Sequence, residues 1–355
     1  MRTKKVIAHL IALNKFSHRI LKTVTALSLA AVIVLMNSID AMACASCGCT
    51  LSSDWQNLQS PVSFTPGLKL DLRYDYLDQD QLRSGHSTIS PQAASQIMNN
   101  GMPQEVEKYT INNYLTLGID YSASRDWGVN IQVPWINRNH STLGTASDGT
   151  TPGPGGGQYN SHTSSVGDVR IIGRYQGFTQ QCNFGILYGI KLPTGSYTET
   201  GISTDPTAPG PVPIDRGLQP GTGTTDAIVG AFYSDSINQN WDYFTQALYQ
   251  EAFNSRNDYK PGSGLNLNVG LRYAGFSSVA PQIQLNFRDV QRDEGAQADT
   301  VSTGGKLLYI SPGVTAPVGQ QLSVFGFFQL PVYQDVNGVQ LAPRYTVSLG
   351  VRYAF

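Results

Sequence analysis

Three features of the sequence predict an all-β chain that forms a transmembrane, antiparallel, up-and-down β-barrel of about 12 strands. Large apolar side chains alternate with small or polar ones along many segments. The gaps between these segments are alternately short and longer. The final alternating segment ends on an aromatic residue, Phe355.

The final segment, Tyr345 to Phe355, shows the alternation most clearly. Its apolar row consists of Tyr345, Val347, Leu349, Val351, Tyr353 and Phe355. A period of two places this row on one face of a β-strand and the small or polar residues, with Arg352, on the other. Such a strand also suits a soluble sandwich, but the terminal aromatic resembles the closing strand of bacterial outer-membrane barrels. The resemblance implies that the barrel-assembly machinery recognises Phe355.

Earlier segments repeat the pattern but leave open which face meets solvent. One apolar row consists of Trp127, Val129, Ile131, Val133 and Trp135. A soluble sandwich would point such rows inward, whereas a membrane barrel points them at lipid and turns its charges into the lumen. The rings of Trp127 and Trp135 at the ends of the row favour the membrane, because amphipathic rings settle at headgroup level.

Segments with this period give twelve candidate strands, each near the length that a tilted membrane strand requires. They are Gly67 to Leu77, Lys108 to Ser122, Trp127 to Asn137, Asp168 to Phe178, Asn183 to Leu192, Asp226 to Ser234, Trp241 to Phe253, Gly264 to Ala274, Ala280 to Asp289, Gly305 to Ala316, Leu322 to Tyr333 and Tyr345 to Phe355.

The connections alternate in length in a way that favours the membrane barrel. Gaps after even-numbered strands, such as Ala123 to Asp126, are short. The long gaps are Asp78 to Glu107, Arg138 to Gly167 and Pro193 to Thr225. Outer-membrane barrels have short periplasmic turns and longer external loops, whereas a sandwich has no reason to alternate. The Gly- and Pro-rich stretch Gly149 to Tyr159 is therefore expected outside the cell and without regular structure.

The amino terminus predicts export. A basic leader precedes the apolar run Thr23 to Met36, and Ala41-Met42-Ala43 supplies a small-x-small cleavage pattern. The run is shorter than the roughly 20 residues that a membrane-spanning helix needs. We therefore expect a signal peptide at 1–43, a Cys-containing periplasmic amino segment or plug at 44–66, and the barrel at 67–355, located in the bacterial outer membrane.

The charge distribution argues against nucleic acid as a partner. Six of the 24 Lys and Arg residues lie in the leader with a single acid, so the remaining chain is acidic. A nucleic-acid-binding protein would be expected to carry a basic surface. The sequence also lacks the motifs of nucleotide binding and metalloprotease chemistry, so it predicts no enzyme, no catalytic residues and no cofactor-binding residues.

Four cysteines form the first group that could carry chemistry. Cys44, Cys47 and Cys49 are clustered at the expected mature amino terminus, and Cys182 follows the fourth strand, on the periplasmic side by loop parity. An oxidising compartment favours a disulfide between Cys182 and one of the cluster. A copper or zinc site on Cys44, Cys47 and Cys49 and a lipid on Cys44 are the alternatives.

Charges on the polar faces of the strands form the second group, and they are expected to line the lumen. They are Lys69, Asp71, Arg73, Asp75, Asp120, Arg170, Arg174, Arg272, Arg288 and Arg352, with Lys191 and Lys306 on or near the same phase. One interpretation is that paired charges only fill and hydrate the lumen. The other is a narrow pore whose cationic wall favours anions.

Three motifs at strand–loop junctions resemble the outer-membrane family named for the MetA pathway of phenol degradation. They are Gly167-Asp168-Val169, Lys191-Leu192-Pro193-Thr194-Gly195 and Leu218-Gln219-Pro220-Gly221-Thr222-Gly223. The resemblance covers Leu68 to Phe355 and implies a transporter, possible solutes being aromatic or otherwise hydrophobic compounds.

These observations predict an outer-membrane channel or transporter for a small-molecule solute, with membrane lipid and the barrel-assembly machinery as partners. A metal-binding or redox-linked protein that uses the Cys cluster is the alternative. A hydrolase on the barrel face is a third hypothesis, suggested by His140-Ser141 and a resemblance to outer-membrane phospholipase A. His86, His140 and His162 are all expected in external loops.

Deletion of Phe355 should lower the yield of folded outer-membrane protein, because it removes both a lipid-facing ring and part of the assembly signal. Western blots of outer-membrane fractions would measure the yield. The control removes an equal mass from the stretch Gly149 to Tyr159. Normal yield without Phe355 would contradict the assignment.

Overall fold

The computed structural model describes residues 66–99, 102–103, 106–144, 157–204 and 209–355. Within these ranges, no helix has the length and apolar character needed to cross a membrane. The expected signal peptide, the cysteine cluster and most of the segment 44–66 lie outside the described residues, so those predictions stay predictions.

The described ranges are built almost entirely of β-strands. They are β1 (Gly67–Gly85), β2 (Ser87–Thr88), β3 (Met98–Asn99), β4 (Met102–Pro103), β5 (Val106–Ser122), β6 (Trp127–Gly144), β7 (Tyr159–Val166), β8 (Val169–Tyr175), β9 (Phe184–Leu192), β10 (Thr200–Ser203), β11 (Gly210–Pro213), β12 (Asp226–Ser236), β13 (Trp241–Ala252), β14 (Gly264–Tyr273), β15 (Ala280–Val290), β16 (Gly305–Val318) and β17 (Leu322–Ala354). A five-residue helix, α1 (Pro91–Ser95), and a 3₁₀ turn (Arg216–Leu218) complete the described structure.

Eleven of these elements close into an antiparallel barrel. The order around the ring is β6, β5, β1, β17, β16, β15, β14, β13, β12, β9 and β8, and β8 pairs again with β6. Four strands, β2, β7, β10 and β11, extend this sheet outside the ring. The predicted all-β antiparallel barrel is therefore confirmed.

The last element, β17, covers two predicted strands. It is 33 residues long, and it pairs with β16 through its first part and with β1 through its second part. The backbone N–H of Ala354 donates to the carbonyl of Gln321 at 2.9 Å, so the two ends of the element lie side by side. The prediction of about 12 strands thus becomes eleven elements, and each of the other ten predicted strands corresponds to one of them.

Strand pairing continues beyond the predicted strand ends, into segments that the sequence predicted as loops. β1 extends to Gly85, and β6 extends to Gly144. His140 therefore lies in β6 and His162 in β7, so their placement in loops was wrong. Outside the lipid layer a strand needs no apolar row, and its polar sequence then shows no hydrophobic period.

The long connections also contain structure that the sequence did not predict. β7, β10 and β11 form a small sheet extension in the order β6, β7, β10, β11. Within the stretch Gly149 to Tyr159, residues 149–156 lie outside the described residues. The expectation that this stretch is external and irregular is therefore untested there.

The two faces of the strands are inverted relative to a soluble protein. Large apolar side chains that are well exposed include Leu72, Leu117, Val129, Val269, Leu285 and Val351. Buried polar side chains include Asp75, Asn112, Lys191, Asn286, Ser348 and Arg352. Consecutive residues of the last strand differ in exposure in the same way, since Val351 is 43% exposed and Arg352 is 5% exposed. This arrangement excludes the soluble sandwich and requires an apolar solvent outside the barrel.

Aromatic rings cluster at the end of the barrel where the connections are short. Trp127 packs on Tyr175 at 4.5 Å between ring centroids, and Trp241 packs on Tyr273 at 4.9 Å. Such a belt is typical of the boundary between lipid and water. The belt therefore marks one boundary of the membrane-embedded band.

Leu117→Arg should impair assembly, whereas the neighbouring Thr116→Arg should not. Leu117 is 40% exposed on the outer face, and Thr116 lines the lumen. An Arg that faces lipid near the midplane costs about 2–4 kcal/mol. Heat-modifiable gel mobility after refolding into lipid vesicles measures the folded fraction. Equal yields of the two variants would show that the assigned faces are wrong.

Candidate functional site

The lumen contains a cavity of about 300 Å³. Its walls come from β1, β5, β6, β8, β9, β12, β13, β14 and β15 and from three of the longer connections. The cations that line it are Arg73, Arg138, Arg170, Lys191, Arg216 and Arg288, and the carboxylates are Asp75, Asp168, Asp226 and Asp293. Both signs of charge therefore surround this space, with cations in excess.

Asp168 joins the three motifs that the sequence singled out. Its carboxylate accepts hydrogen bonds from the backbone N–H of Gly195 at 3.0 Å and of Thr222 at 3.0 Å. It also lies 2.9 Å from the ammonium of Lys191. Residues far apart in sequence are thus held at one point of the wall, which we call the Asp168 junction.

Lys191 is the cation at the centre of this junction. Its side chain is buried, and its ammonium lies 3.1 Å from Asp226 as well as beside Asp168. The ammonium also donates to the hydroxyls of Thr222 and Thr224. A buried ammonium needs this many acceptors, because an unpaired charge in a low dielectric is strongly unfavourable.

Two glycines allow the backbones of the junction to meet. A Cβ on Gly221 would lie 2.4 Å from the carbonyl oxygen of Gly195, and a Cβ on Gly195 would lie 2.8 Å from the Cα of Gly221. Larger residues at these positions would push the two connections apart. The glycines in the second and third motifs therefore serve close packing of one connection on the other.

The junction lies where the barrel wall divides. Trp135 to Ser141 of β6 pair with β7, whereas Trp127 to Gln132 pair with β8. Gly167 and Asp168 connect the two, and the N–H of Gly167 donates to the carbonyl of Pro134 at 2.8 Å. Asp168 therefore fixes the chain at the point where it passes from the sheet extension into the ring.

Three of the longer connections cover the cavity at one end of the barrel. The guanidinium of Arg216 lies between the rings of Tyr197 and Tyr259, at 4.8 and 4.7 Å from their centroids. Asp293 accepts hydrogen bonds from the hydroxyl of Tyr259 at 2.9 Å and from the N–H of Gly262 at 2.8 Å. Burial raises the pKa of Asp293, although these hydrogen bonds act in the opposite direction. These three connections are thus tied together over the cavity.

Buried ion pairs lie between the cavity and the end of the barrel that carries the short connections. Asp71 pairs with Arg352 at 3.4 Å, and Asp120 pairs with Arg174 at 3.4 Å. These pairs join β1 to β17 and β5 to β8, whose charges the sequence assigned to the lumen.

A further pair and a polar network complete this lower layer. Arg272 pairs with Asp242 at 2.6 Å. The fully buried Asn286 donates to Asn268 at 2.7 Å and accepts from Ser311 at 2.7 Å. These buried side chains narrow the lumen at their level.

Inward-facing glycines make room for phenylalanine rings in the lumen. A Cβ on Gly270 would lie 2.0 Å from the ring of Phe244, and one on Gly350 would lie 2.2 Å from the ring of Phe325. Each ring therefore lies flat on the backbone of the adjacent strand. The lumen therefore contains apolar surface, although the inward-facing residues were predicted from the sequence to be small or polar.

Of the remaining charges that were predicted to line the lumen, one has an ion-pair partner, and others have a hydrogen bond or a charged residue opposite them in the strand register. Arg73 pairs with Asp75 at 2.8 Å. Arg288 donates to Asn266 at 2.9 Å, and Lys69 lies opposite Asp120 in the register of β1 and β5. Lys306 on β16 is opposite Asp289 and shares its face with Leu308 rather than with the buried Leu307, so its expected place on the lumenal face was wrong. Arg170 lines the cavity.

Sequence reasoning missed several residues that carry the site. They are Arg138, Asp168, Arg216, Asp226, Asp242 and Asp293. Asp168, Asp226 and Asp242 stand at or beside the first residue of a strand, a position from which a side chain can reach a neighbouring connection. Their closeness to the starts of predicted strands was the available signal. Arg216 and Asp293 lie in connections and gave no such signal.

The cysteine predictions stay predictions. Cys182 is the one cysteine in the described ranges, and it lies in the short connection between β8 and β9. Its thiol donates to Asp126 Oδ1 at 3.6 Å, and burial raises its pKa. Cys44, Cys47 and Cys49 lie outside the described residues. Among the residues that are described, no group of three or more His, Cys, Asp or Glu side chains is arranged to hold a metal ion.

His140 and Ser141 do not form the pair that the hydrolase hypothesis requires. The Nδ1 atom of His140 lies 2.8 Å from the hydroxyl of Thr110. The hydroxyl of Ser141 donates instead to Asn160 at 2.7 Å. Neighbouring residues of a strand point to opposite faces, so the two side chains reach different partners.

Comparison with solved structures identifies the fold. The chain is similar to an outer-membrane channel from Pseudomonas putida F1, with a TM-score of 0.58, 13% identity, and coverage of 84% of this chain and 98% of that one. The CymD monoaromatic hydrocarbon channel matches with a TM-score of 0.46, 11% identity, and coverage of 86% and 94%. A FadL homologue from Pseudomonas aeruginosa matches with a TM-score of 0.45, 9% identity, and coverage of 89% and 99%. The latter two scores are too low to support an argument.

No protein-family model matches the sequence, and no curated protein matches it. The resemblance to the MetA-pathway family therefore stays a prediction. The fold and the apolar outer face together define a β-barrel of the bacterial outer membrane.

Lys191→Met should destabilise the barrel strongly, because it leaves Asp168 and Asp226 buried without their cation. Removing one partner of a buried pair costs about 3–5 kcal/mol. Lys260→Met is the matched control, since Lys260 and its partner Glu251 are far more exposed and 3.8 Å apart. Urea unfolding from lipid vesicles, followed by tryptophan fluorescence, measures the difference. Equal losses in both variants would contradict the role assigned to the Asp168 junction.

Proposed function

We propose that the chain is a passive outer-membrane channel for small solutes, with the lumenal cavity as its binding chamber. The observation that supports this most directly is the cavity of about 300 Å³ in the lumen, lined by the barrel wall and by three of the longer connections. A barrel that served only as an anchor would have no need for a chamber lined by charges and covered by tied connections.

The size of the barrel supports a narrow path rather than an open pore. All neighbouring elements of the ring are antiparallel, and an odd number of passes cannot close in this way. We therefore count β17 as two passes, which gives twelve. Eight strands give a barrel filled by side chains and sixteen give an aqueous channel. Twelve passes suit a path for single small molecules.

The composition of the lumen supports a solute with an apolar body. Ile172, Leu187 and Ile228 form a buried cluster on the inner faces of β8, β9 and β12, with Phe232 and Leu248 packed against it. Ile172 and Leu248 also line the cavity. Aromatic or otherwise hydrophobic compounds, which the family resemblance suggests, are therefore the proposed class of solute. The solved structure with the same fold is itself described as an outer-membrane channel.

We further propose that residues 44–66 act as a periplasmic plug once the signal peptide has been removed. The segment joins β1 at Gly67, at the same end of the barrel as the carboxyl terminus, because the N–H of Phe355 donates to the carbonyl of Leu68 at 2.9 Å. Conductance before and after deletion of residues 51–65 tests this part of the proposal. Unchanged conductance in a folded variant would argue against a plug.

Asn286→Ala should raise single-channel conductance in planar lipid bilayers. Asn286 connects Asn268 and Ser311 in the polar layer, and its removal widens the lumen there. The control, Leu285→Ala, changes the neighbouring lipid-facing side chain and should leave conductance unchanged. A folded Asn286→Ala variant with the conductance of the original protein would show that the resistance lies elsewhere. Absence of any channel activity in the original protein would contradict the proposed function.

A further inference from the structure

Arg170 differs from the other cations of the cavity in its contacts. Lys191 is held by Asp168 and Asp226, and Arg73 by Asp75. Within the described part of the chain, Arg170 has no hydrogen bond and no ion pair within contact distance. An arginine without a partner inside a barrel is energetically unfavourable.

Arg288 approaches the same space from another wall. Arg170 is on β8 and Arg288 is on β15, and the two charges repel each other. Arg288 donates to Asn266 through one terminal nitrogen, while its buried Nε has no acceptor among the described residues. The two guanidiniums therefore leave hydrogen-bonding capacity unused on two sides of one cavity.

The nearby carboxylates supply only part of the missing negative charge. Asp168 and Asp226 lie within electrostatic range of Arg170, but they share the cation Lys191, so the three groups carry one net negative charge against the two positive charges of Arg170 and Arg288. Asp226 also accepts hydrogen bonds from Thr224 at 2.8 Å and from Gln250 at 2.6 Å. Positive charge consequently remains in excess between Arg170 and Arg288.

The rest of the cavity is suited to an apolar body. Ile136, Ile172, Leu248 and Val290 line it together with the two arginines. A carboxylate matches the planar fork of a guanidinium, and an apolar group attached to it would contact the aliphatic side chains. An inorganic anion would satisfy only the charges, and a neutral hydrocarbon would satisfy only the apolar wall.

We propose that Arg170 and Arg288 form a lumenal subsite for the carboxylate of a small organic acid with an apolar body, such as an aromatic monocarboxylate. The subsite rests on the proposed function and specifies the class of solute. The volume of about 300 Å³ limits the occupant to a single small molecule, because it lies at the lower end of the range for ligand sites.

Isothermal titration of the purified full-length protein in detergent at pH 7 tests the subsite, with benzoate, benzyl alcohol and inorganic phosphate as probes. Benzoate and benzyl alcohol share a ring and differ in charge, and phosphate has charge without a ring. Benzoate should bind at least tenfold more tightly than either of the others. Arg170→Gln should weaken benzoate binding about tenfold or more, because it removes a hydrogen-bonded charge pair.

Arg344→Gln is the matched control, since it makes the same charge change on a side chain that is 55% exposed and paired with Asp80. It should leave benzoate binding unchanged. Arg288→Gln provides a second test of the subsite if Arg170→Gln does not fold, and heat-modifiable gel mobility monitors folding. Benzoate affinity unchanged by the folded arginine variants would overturn the proposal.

The remaining outcomes are equally decisive. Benzyl alcohol binding as tightly as benzoate would overturn the role of the carboxylate, and phosphate binding as tightly would overturn the role of the apolar body. Liposome swelling with arabinose tests the channel separately, because arabinose has no charge. Swelling without benzoate binding would overturn the subsite while leaving the proposed channel intact, whereas no swelling would count against the channel itself.

Discussion

The structure depends on one constraint, which is that lipid offers no hydrogen bonds to an exposed backbone. Every N–H and C=O group in the lipid layer must therefore find a partner within the protein. The pairing of β8 with β6 meets this requirement, because it closes the ring and removes both edges of the sheet. The inversion of the faces follows, since only a closed ring has an inside where Arg174, Lys191 and Arg352 can be paired away from lipid.

The same constraint explains why the fold could be predicted from the sequence. Because one face of each strand meets lipid and the other meets a polar lumen, successive side chains along the strand must alternate between apolar and polar. Val351 and Arg352 show this alternation in sequence and in their exposure. The alternation ends where the strands leave the lipid layer, and the strands could not be predicted from the sequence beyond that point. The outer parts of β1 and β6, and all of β7, were therefore predicted as loops.

The site could be predicted from the sequence only in part, for a related reason. The lumenal phase of the strands identified Arg170, Arg174 and Arg352, because phase follows from counting residues. Pairing across the lumen depends on the stagger of the strands and on the paths of the connections. The periodicity of the sequence predicts neither of these. The closeness of Lys191 to Asp168 and Asp226 became evident only once three connections were placed together. The motif resemblance located the correct segments and gave no hint that they form one junction.

The outer face of the barrel must lie in lipid if the lumen is to be the polar interior, and tryptophan quenching measures whether it does. Trp127, Trp135 and Trp241 are all exposed on that face. In a Trp55→Phe variant reconstituted in vesicles, these are the remaining tryptophans. Brominated lipids should quench their fluorescence strongly, and aqueous iodide should quench it weakly. Strong quenching by iodide with no effect of brominated lipid would contradict the membrane barrel and everything inferred from its lumen.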